Sequence, residues 1–398
     1  SFYGKKDKKS LSSVYYYKDA VLKELDSIKS VPNSLLNVDG LKIYTNLNIE
    51  YQEILENNVT DNTNNTDMQI ASVIIEPSSG KVSALIGGKN YSQSQFNRAT
   101  SSKRQVGSTI KPFLYYAALE NGFTPSTTFL SEPTSFNIGK EFYSPKNAGN
   151  IYANRNISLL SAIVYSDNIY AMKTHFFLGL DTLGSISKRV HINTPVLSNA
   201  SSALGTTEIN ILDFANGYIT LANEGIHKDP YFIEKITDLE GNILYEHKQE
   251  EEYVLNKKYV YILNNMLSNT YNYAMVNYTS PTLISVSNIL KNNKYAVKSG
   301  STNSDYLTIG YNKNNLVMVW MGNDDNSKVK IKDSKLSKII WAKTISSLDN
   351  SNSWYDIPSG ITSNIVNPIS GELFETSGVV CYYEKGSEPS FRSIISDD

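Results

Sequence analysis

Apolar residues recur along the chain at helical and strand spacings, and the two kinds of spacing alternate. Near the start, "SVYYYKDAVLKELDSI" has the spacing of an amphipathic helix, and "GLKIYTNLNIEYQEILENNV" indicates a strand followed by a helix. The polar tract that follows, "NVTDNTNNTD", predicts an exposed loop. We therefore expect residues 1–65 to form a small leading module that links to the rest of the chain.

The next part of the chain has strand patterns at both ends and helical patterns between them. "QIASVIIEPSSGKVSALIGG" predicts a β-hairpin, whereas "NISLLSAIVYSDNIYAMKTHFFLG" and "KKYVYILNNML" predict helices. A further helix is predicted from Ser108 to Leu119. Three late runs, "KYAVKSGS", "YLTIGYN" and "LVMVWMG", have short connections that favour an antiparallel meander, and "LSKIIWAKTI" indicates a closing helix.

This order predicts an α+β fold in which helices flank an antiparallel sheet, because a parallel sheet would alternate strands with helices. We assign residues 66–348 to this main domain. Residues 349–398 are richer in Pro, Gly and Ser, which predicts a C-terminal tail or small appendage.

Composition narrows the classes of function. The chain has 398 residues, of which 40% are hydrophobic, and this length is enough for a large core. A formal charge of -2 gives no reason to expect a nucleic-acid partner. The single cysteine excludes an intrachain disulfide, and the four histidines are scattered without metal-binding spacing, so we expect no metal site and no cofactor.

One stretch combines a serine with a lysine in a context that favours chemistry. In "RQVGSTIKPFLYYAALE", Ser108 follows a glycine and Lys111 comes three residues later, at the predicted start of a helix. Positions i and i+3 of a helix share a face, so the amine can reach the hydroxyl. The alternative is a purely structural role, in which the serine is a helix N-cap and the lysine an ordinary helical residue. The S-x-x-K spacing also occurs at Ser78, Ser185 and Ser327, so it is weak evidence alone.

Two further motifs follow in order and strengthen the chemical interpretation. Ser166-Asp167-Asn168 lies between two predicted helices, and Lys298-Ser299-Gly300 lies at the end of a predicted strand. A lysine acts as a base only after losing its proton, and burial or a neighbouring cation lowers its pKa. We therefore expect a second lysine close to the first. Asp167 on its own indicates a local helix cap rather than a catalyst.

The three motifs together resemble the transpeptidase region of class A (bifunctional) penicillin-binding proteins. The likeness runs from about Gly40 to Trp341. It is carried by "GGKNYSQSQFNRATSSKRQVGSTIKPFLYYAALENG", "SALGTTEINILDFANGYITLANEG" and "VKSGSTNSDYLTIGYNKNNLVMVWMGNDD". The resemblance implies a serine penicillin-recognising fold of the DD-peptidase and β-lactamase type. It implies a D,D-transpeptidase that cross-links peptidoglycan stem peptides and is acylated by β-lactams.

The resemblance also implies a role for each catalytic residue. Ser108 attacks the carbonyl of a D-Ala-D-Ala stem peptide, and Lys111 takes its proton. Ser166 relays a proton to the leaving amine, and Asn168 holds both Lys111 and the substrate amide. Lys298 keeps Lys111 neutral by repulsion and attracts the substrate carboxylate.

A substrate-binding strand follows from the same resemblance. The hydroxyls of Ser299 and Ser301 bind the carboxylate, and the N–H of Ser301 joins that of the nucleophile in an oxyanion hole. The implied substrate-binding set is Ser299, Gly300, Ser301 and Thr302. Three departures from the family pattern stand out: Val106 for proline, serines for threonines at 299 and 301, and Tyr306-Leu307 for an aromatic pair with tryptophan.

The resemblance implies a larger protein than this chain. Family members carry a membrane helix and a glycosyltransferase domain, which this sequence lacks, and no run of 18 apolar residues occurs in it. The opening, "SFYGKKDKK", reads as the interior of a longer chain. We expect a soluble fragment of a membrane-anchored protein that acts at the extracytoplasmic face of the bacterial cell membrane.

Three other functions remain open from the sequence. A β-lactamase would need a deacylating carboxylate, for which Glu208 is the nearest candidate, although its segment resembles a family helix start. A D,D-carboxypeptidase would use the same residues with water as the acceptor. A non-catalytic β-lactam sensor would stay acylated, but the segment around Asn97-Arg98-Ala99 argues against it.

Overall fold

The computed structural model describes residues 12–31, 40–139, 141–290, 293–348, 353–374 and 378–390. None of the helices in these ranges is long and apolar enough to cross a membrane. The α-helices are α1 (Val14–Leu25), α2 (Ile49–Thr63), α3 (Arg98–Ser101), α4 (Lys111–Glu120), α5 (Leu159–Tyr165), α6 (Asn168–Leu178), α7 (Thr182–Arg189), α8 (Ile211–Ala222), α9 (Lys257–Leu267) and α10 (Leu336–Leu348). Short 3₁₀ turns lie at Gly107–Ile110, Ala148–Asn150, Ala200–Leu204, Tyr273–Met275, Ile284–Val286 and Ile331–Asp333.

The strands form one central sheet and several smaller ones. In chain order they are β1 (Lys42–Thr45), β2 (Gln69–Ile75), β3 (Val82–Ile86), β4 (Lys103–Gln105), β5 (Thr128–Ser131), β6 (Phe136–Ile138), β7 (Glu141–Tyr143), β8 (Arg155–Ser158), β9 (Glu208–Asn210), β10 (Ile226–His227), β11 (Ile233–Thr237), β12 (Ile243–Glu246), β13 (Glu252–Tyr253), β14 (Ala296–Ser301), β15 (Asp305–Tyr311), β16 (Leu316–Gly322), β17 (Ile361–Val366) and β18 (Val379–Glu384).

The central sheet has the strand order β14-β15-β16-β2-β3, and every neighbouring pair is antiparallel. Both local predictions, the β2–β3 hairpin and the β14–β16 meander, are confirmed. They join through β16 and β2, where Leu316 lies opposite Ile75. The predicted α+β fold, with helices flanking an antiparallel sheet, is therefore confirmed.

Each face of the sheet is covered by a separate hydrophobic core. On one face Ile74 of β2 belongs to the core that contains Trp341 of α10, and α2 packs against the same helix. On the other face Val73 belongs to the core that contains Phe214 of α8. Successive strand residues point to opposite faces, so a strand buried on both sides needs apolar residues at nearly every position. The sequences of β2 and β16 have this character.

The polar tract at 58–67 was predicted to be a loop, and this prediction is wrong for its first half. Helix α2 continues to Thr63, which is buried together with Val59. Asn62 accepts a hydrogen bond from the Lys343 ammonium of α10, with an N–O distance of 3.1 Å. Packing against α10 thus stabilises a helix whose sequence has low helix propensity, because tertiary contacts outweigh weak local preferences.

Segments at both ends of the chain pack against the main domain. Strand β1 pairs with β11, and Tyr16 of α1 lies in the same core as Phe214. Strand β18 packs on α9, and its Tyr383 is fully buried in that core. Residues before position 65 and after position 348 therefore share a hydrophobic core with the main domain.

A buried ion pair fixes the turn that follows β14. The Asp305 carboxylate accepts hydrogen bonds from Arg104 Nε at 2.7 Å, Trp320 Nε1 at 2.9 Å and Thr302 Oγ1 at 2.7 Å. Both partners of the ion pair are at most 5% exposed. This carboxylate therefore joins the segment before the α4 turn to the β14–β15 connection.

Removing this carboxylate is expected to destabilise the fold strongly. Asp305→Ala leaves the Arg104 guanidinium buried without its counter-ion, and the loss of unfolding free energy should be about 3–5 kcal/mol. Asp356→Ala is the matched control, because its ion pair with Lys313 is exposed to solvent, and it should cost much less. Urea unfolding followed by tryptophan fluorescence measures both losses, and equal losses would contradict this account.

Candidate active site

Ser108 and Lys111 are held together by a 3₁₀ turn rather than by the predicted α-helix. The turn spans Gly107–Ile110, and the backbone N–H of Lys111 donates to the carbonyl of Ser108. Helix α4 begins only at Lys111, and Pro112 lies in its first turn. Side chains at i and i+3 eclipse each other in a 3₁₀ turn, so the serine and the lysine lie on the same edge. Ser108 is partly exposed, whereas Lys111 is fully buried.

Three glycines let backbone segments pack closely around this turn. Gly107 has φ +55° and donates its N–H to the carbonyl of Gly205 at 2.9 Å. A Cβ on Gly205 would lie 1.9 Å from the Gly107 oxygen, and one on Gly300 would lie 3.1 Å from Ser108 N. The end of β14 therefore lies directly against the serine turn. Sequence reasoning missed Gly205, since nothing local distinguishes it from other turn glycines.

The Lys111 amine lies among oxygens of the second motif. Its Nζ donates to the Ser166 carbonyl at 2.8 Å and to Asn168 Oδ1 at 2.7 Å. Longer contacts reach Asp167 O at 3.3 Å and Ser166 Oγ at 3.4 Å. The structure thus brings the first two predicted motifs together.

The second motif is the break between α5 and α6. Ser166 ends α5 in the left-handed conformation, with φ 59° and ψ 41°. Asp167 is the N-cap of α6 and accepts from Tyr170 N at 2.7 Å, which confirms the predicted structural role of this residue. Its other oxygen accepts from Asn147 Nδ2 at 2.7 Å, and Asn147 Oδ1 accepts from Asn168 N at 2.7 Å. Sequence reasoning missed Asn147, because no motif surrounds it.

Lys298 supplies the second amine that the sequence predicts near Lys111. It is fully buried in β14, and its Nζ donates to Ser166 Oγ at 2.9 Å and to Ser299 O at 2.7 Å. The Ser166 hydroxyl therefore lies within hydrogen-bond distance of both lysine amines. All three motifs meet at this hydroxyl.

Burial determines the protonation of the two lysines. It lowers the pKa of Lys111 to about 7, and the charge of Asp167 acts in the opposite direction. Burial also lowers the pKa of Lys298 well below its usual range, and the charges of Lys111 and Lys338 lower it further. The resemblance implied that repulsion from Lys298 keeps Lys111 neutral. In the structure, loss of hydration is the main cause of the lowered pKa of Lys111.

The predicted substrate-binding residues line one wall of a cleft of about 610 Å³ that contains Ser108. Ser301 is exposed at the end of β14, and Ser299 and Gly300 are buried beside it. Thr302 lines the cleft too, but its hydroxyl already donates to Asp305, so the side chain holds the turn. Other described residues of the lining are Gln105, Lys146, Ala148, Tyr165, Ser166, Asn168, Leu204, Thr282, Asn303, Tyr306, Ser334, Ser337 and Lys338.

The charged side chains of this lining are all basic. Lys146 and Lys338 contribute to it, while no aspartate or glutamate does so among the described residues. Lys338 is half-buried in α10, where burial lowers its pKa to about 8 and its Nζ donates to Thr282 O at 2.7 Å. Sequence reasoning treated Lys338 as part of a closing helix. Such a cleft favours a substrate that carries a carboxylate.

The alternative serines and the alternative carboxylate lie elsewhere. Ser78, Ser185 and Ser327 are exposed on the surface, and none lines the cleft. Glu208 is exposed in β9, where it pairs with Gln105 of β4. The four histidines, all within the described ranges, are also absent from the cleft lining, so a serine–histidine pair is not formed there.

Comparisons with known proteins identify the family of this chain. Residues 70–340 match the family described as penicillin binding protein transpeptidase domain. Penicillin-binding protein 2D of Bacillus subtilis is 36% identical over 387 residues, which cover 94% of this chain and 55% of that protein. Penicillin-binding protein 1A of Aquifex aeolicus is 30% identical over 337 residues, or 81% of this chain and 44% of that protein. The chain thus spans about half the length of these relatives.

Solved structures show the same fold at lower identity. The crystal structure of penicillin-binding protein 1A from Haemophilus influenzae superposes with a TM-score of 0.84 at 20% identity, covering 94% of this chain and 76% of that one. The PonA1 protein of Mycobacterium tuberculosis, in complex with penicillin V, gives a TM-score of 0.75 at 20% identity. The match covers 93% of this chain and 98% of that one. With the family match over most of its length, this chain belongs to the penicillin-binding proteins and contains their transpeptidase domain.

Proposed function

We propose that the chain is a D,D-transpeptidase that cross-links peptidoglycan stem peptides through an acyl-enzyme on Ser108. β-Lactams acylate the same hydroxyl. One observation carries this proposal: the Ser166 hydroxyl bridges two buried lysine amines beside Ser108, in a cleft whose lining is basic. We assign catalytic roles to Ser108, Lys111, Ser166, Asn168 and Lys298.

Acylation begins with neutral Lys111. Its two N–H groups keep the short bonds to Ser166 O and Asn168 Oδ1, and its lone pair takes the Ser108 proton. Ser108 Oγ then forms a bond to the carbonyl carbon of the penultimate D-alanine. The carbonyl oxygen becomes an oxyanion, which the N–H groups of Ser108 and Ser301 stabilise.

The leaving group departs with a proton from Ser166. The C–N bond breaks as the nitrogen of the terminal D-alanine takes the Ser166 hydroxyl proton, and protonated Lys111 replaces that proton across 3.4 Å. An ester on Ser108 and a neutral Lys111 remain. The amine of a second stem peptide then attacks the ester, forms an amide cross-link and returns a proton to Ser108 through the same groups.

The substrate carboxylate binds at the end of β14. Lys298 and the hydroxyls of Ser299 and Ser301 hold it, and Gly300 lets the strand approach the nucleophile. Thr302 completes this binding strand by holding its turn through Asp305. The departure at Tyr306 alters the wall of the cleft, whereas Leu307 is fully buried in the core and does not reach the substrate.

We propose the same division of the chain that the sequence predicts. Residues 66–348 carry the site, residues 1–65 form a linker module, and residues 349–398 form an appendage. The full-length protein has a membrane anchor and a glycosyltransferase domain, and it acts at the extracytoplasmic face of the bacterial cell membrane. The chain's coverage of 55% of its B. subtilis relative supports this proposal.

The lifetime of a fluorescent penicillin label tests the proposal against its alternatives. Label that lasts many minutes, together with exchange of a D-amino acid into a donor ester, supports transpeptidation. Hydrolysis of the ester without exchange would instead identify a carboxypeptidase. A persistent label with no turnover of the ester would identify a sensor, and loss of label within seconds would identify a β-lactamase.

The rate of acylation should rise with pH through a midpoint near 7. Only the neutral Lys111 amine accepts a proton, and burial sets its pKa at about 7. The neutral fraction is thus about a tenth at pH 6 and about nine tenths at pH 8. Stopped-flow acylation by a β-lactam that does not titrate in this range measures the profile. A midpoint near the ordinary lysine value would contradict the assignment of Lys111.

Lys298→Ala should slow acylation by at least about tenfold, the change that one lost hydrogen bond to a charged group produces. The variant removes the donor to Ser166 Oγ and the amine that binds the substrate carboxylate. Because burial is the main cause of the lowered pKa of Lys111, the pH midpoint should shift upward only slightly. Acylation rates at several pH values measure both effects, with thermal melting as the control for folding. An unchanged rate and an unchanged profile would contradict the assigned role.

A further inference from the structure

Two of the scattered histidines meet in space, well away from the active-site cleft. His191 follows the end of α7, and His227 lies in β10, where its ladder partner is Glu252 of β13. Asp229 lies two residues beyond His227. None of these four residues lines the cleft that contains Ser108. Histidines that are scattered along the sequence are thus adjacent in the fold.

The polar atoms of these side chains lie close to one another, near the spacing that a bound metal ion requires. His191 Nε2 lies 3.0 Å from Glu252 Oε2, and His227 Nε2 lies 3.1 Å from Asp229 Oδ1. One ligand atom from each of His191, His227 and Asp229 falls within 4.8 Å of the others. Two ligand atoms bound at about 2.0–2.1 Å to a tetrahedral Zn²⁺ lie about 3.3 Å apart. We propose that His191, His227, Asp229 and Glu252 bind a divalent transition-metal ion of the zinc type.

The immediate surroundings orient His227 for this role. Its side chain is 4% exposed, and its Nδ1 is 3.2 Å from the hydroxyl of Thr220, which is fully buried in α8. Metal-binding histidines commonly use one ring nitrogen for such a hydrogen bond, which fixes the ring and leaves the other nitrogen for the ion. Nε2 of His227 is the nitrogen directed at the carboxylate of Asp229.

The backbone at His191 is also unusual. Its φ of +60° lies in the left-handed region, at the position after a helix where glycine is common. A side chain there carries a conformational cost, so the backbone does not explain why a histidine stands at this position. Its ring contacts Glu252 and stacks on His227.

Charge and ligand type identify the class of ion. Two carboxylates offset the two charges of the ion, and the ammonium of the adjacent Lys228 is already paired with Glu251 at 3.0 Å. A mixed set of imidazoles and carboxylates suits Zn²⁺ and its neighbours, whereas Mg²⁺ and Ca²⁺ prefer oxygen ligands throughout.

Binding requires one local movement. The two imidazole rings are stacked, with centroids 3.8 Å apart and planes 17° apart. The lone pair of a ring nitrogen lies in the plane of its ring. The angle between the two ring planes must therefore increase before both Nε2 atoms can bind one ion. The His191 side chain is about one third exposed and has room to tilt. The bound ion would then join the end of α7 to the β10–β13 pair.

Titration of the complete, metal-free chain with ZnCl₂ in a calorimeter tests this proposal. We expect one ion per chain with a dissociation constant below about 10 μM, and a higher melting temperature with the ion bound. His191→Ala and Glu252→Gln should each weaken binding by at least about tenfold, since even indirect partners of a metal contribute that much. Both side chains are partly exposed, so these variants are chosen in preference to the buried His227.

His247→Ala is the matched control, because this nearby histidine stacks on Tyr231 and belongs to no ligand set of the site. It should leave Zn²⁺ binding unchanged, and Co²⁺ bound to the wild-type chain should show the visible absorption of four-coordinate cobalt. The absence of saturable binding would overturn the proposal, as would equal binding of Mg²⁺ or an equal loss in His247→Ala. Full binding by both His191→Ala and Glu252→Gln would also overturn it.

Discussion

Ser108→Ala is expected to lose all covalent labelling by a fluorescent penicillin. This serine alone among the four S-x-x-K serines lies in the cleft, on the same edge of a 3₁₀ turn as a buried lysine. Without its hydroxyl there is no atom from which the ester can form. Gel fluorescence after saturating incubation measures the label, and mass spectrometry should place a single adduct on the wild-type peptide that contains Ser108.

Ser78→Ala is the matched control for this result. Its serine also precedes a lysine by three residues, but it is exposed in the turn between β2 and β3. Labelling of this variant should equal that of the wild type. An adduct on Ser78, Ser185 or Ser327 would contradict the assignment of the nucleophile.

Lys111→Met is expected to slow acylation by about 10²–10⁴-fold, which is the usual contribution of a general base. Methionine keeps the length of the buried stem but offers no amine to take the Ser108 proton. The remaining slow labelling should also lose the rise with pH near 7. Lys188→Met, at the exposed lysine of another S-x-x-K match, should acylate at the wild-type rate. A wild-type rate for Lys111→Met would exclude this lysine as the base.

The same variant should change how stability depends on pH. Between about pH 7 and the ordinary lysine value of 10.5, the unfolded chain binds a proton at Lys111 that the folded chain does not. The wild type therefore gains stability as the pH rises through this window, and a variant without the amine lacks that gain. The stability of Lys111→Met relative to wild type should thus fall from pH 7 to pH 10. Denaturant unfolding at each pH measures the difference, and a difference that does not vary with pH would contradict the lowered pKa.

Local patterns predicted much of the fold because they report short-range structure. The β2–β3 hairpin and the β14–β16 meander each follow from strand patterns joined by short turns. The pairing of β16 with β2 could not be predicted, because it depends on two segments that are distant in the sequence. The extension of α2 to Thr63 was missed for the same reason, since contacts with α10 rather than local propensity stabilise it.

The candidate site shows the same limit. The order of three short motifs predicted the catalytic residues Ser108, Lys111, Ser166, Asn168 and Lys298. In the structure these motifs meet around the Ser166 hydroxyl. The supporting residues Asn147, Gly205 and Lys338 have no motif, because each acts through a contact that only the fold creates. The convergence of two histidines was likewise hidden by their separation along the chain.

The strand order of the central sheet also determines when the sheet can form during synthesis. The Ser72 hydroxyl of β2 bonds to the Met318 carbonyl of β16, which lies 246 positions later in the chain. Translation proceeds at about 5–20 residues per second, so β16 is synthesised roughly 12–50 s after β2. Both strands are buried almost throughout in the folded protein, so in the nascent chain their apolar faces and unpaired edges are exposed. The first-made part of the sheet is therefore also the part most open to incorrect pairing, until the last strands have been translated.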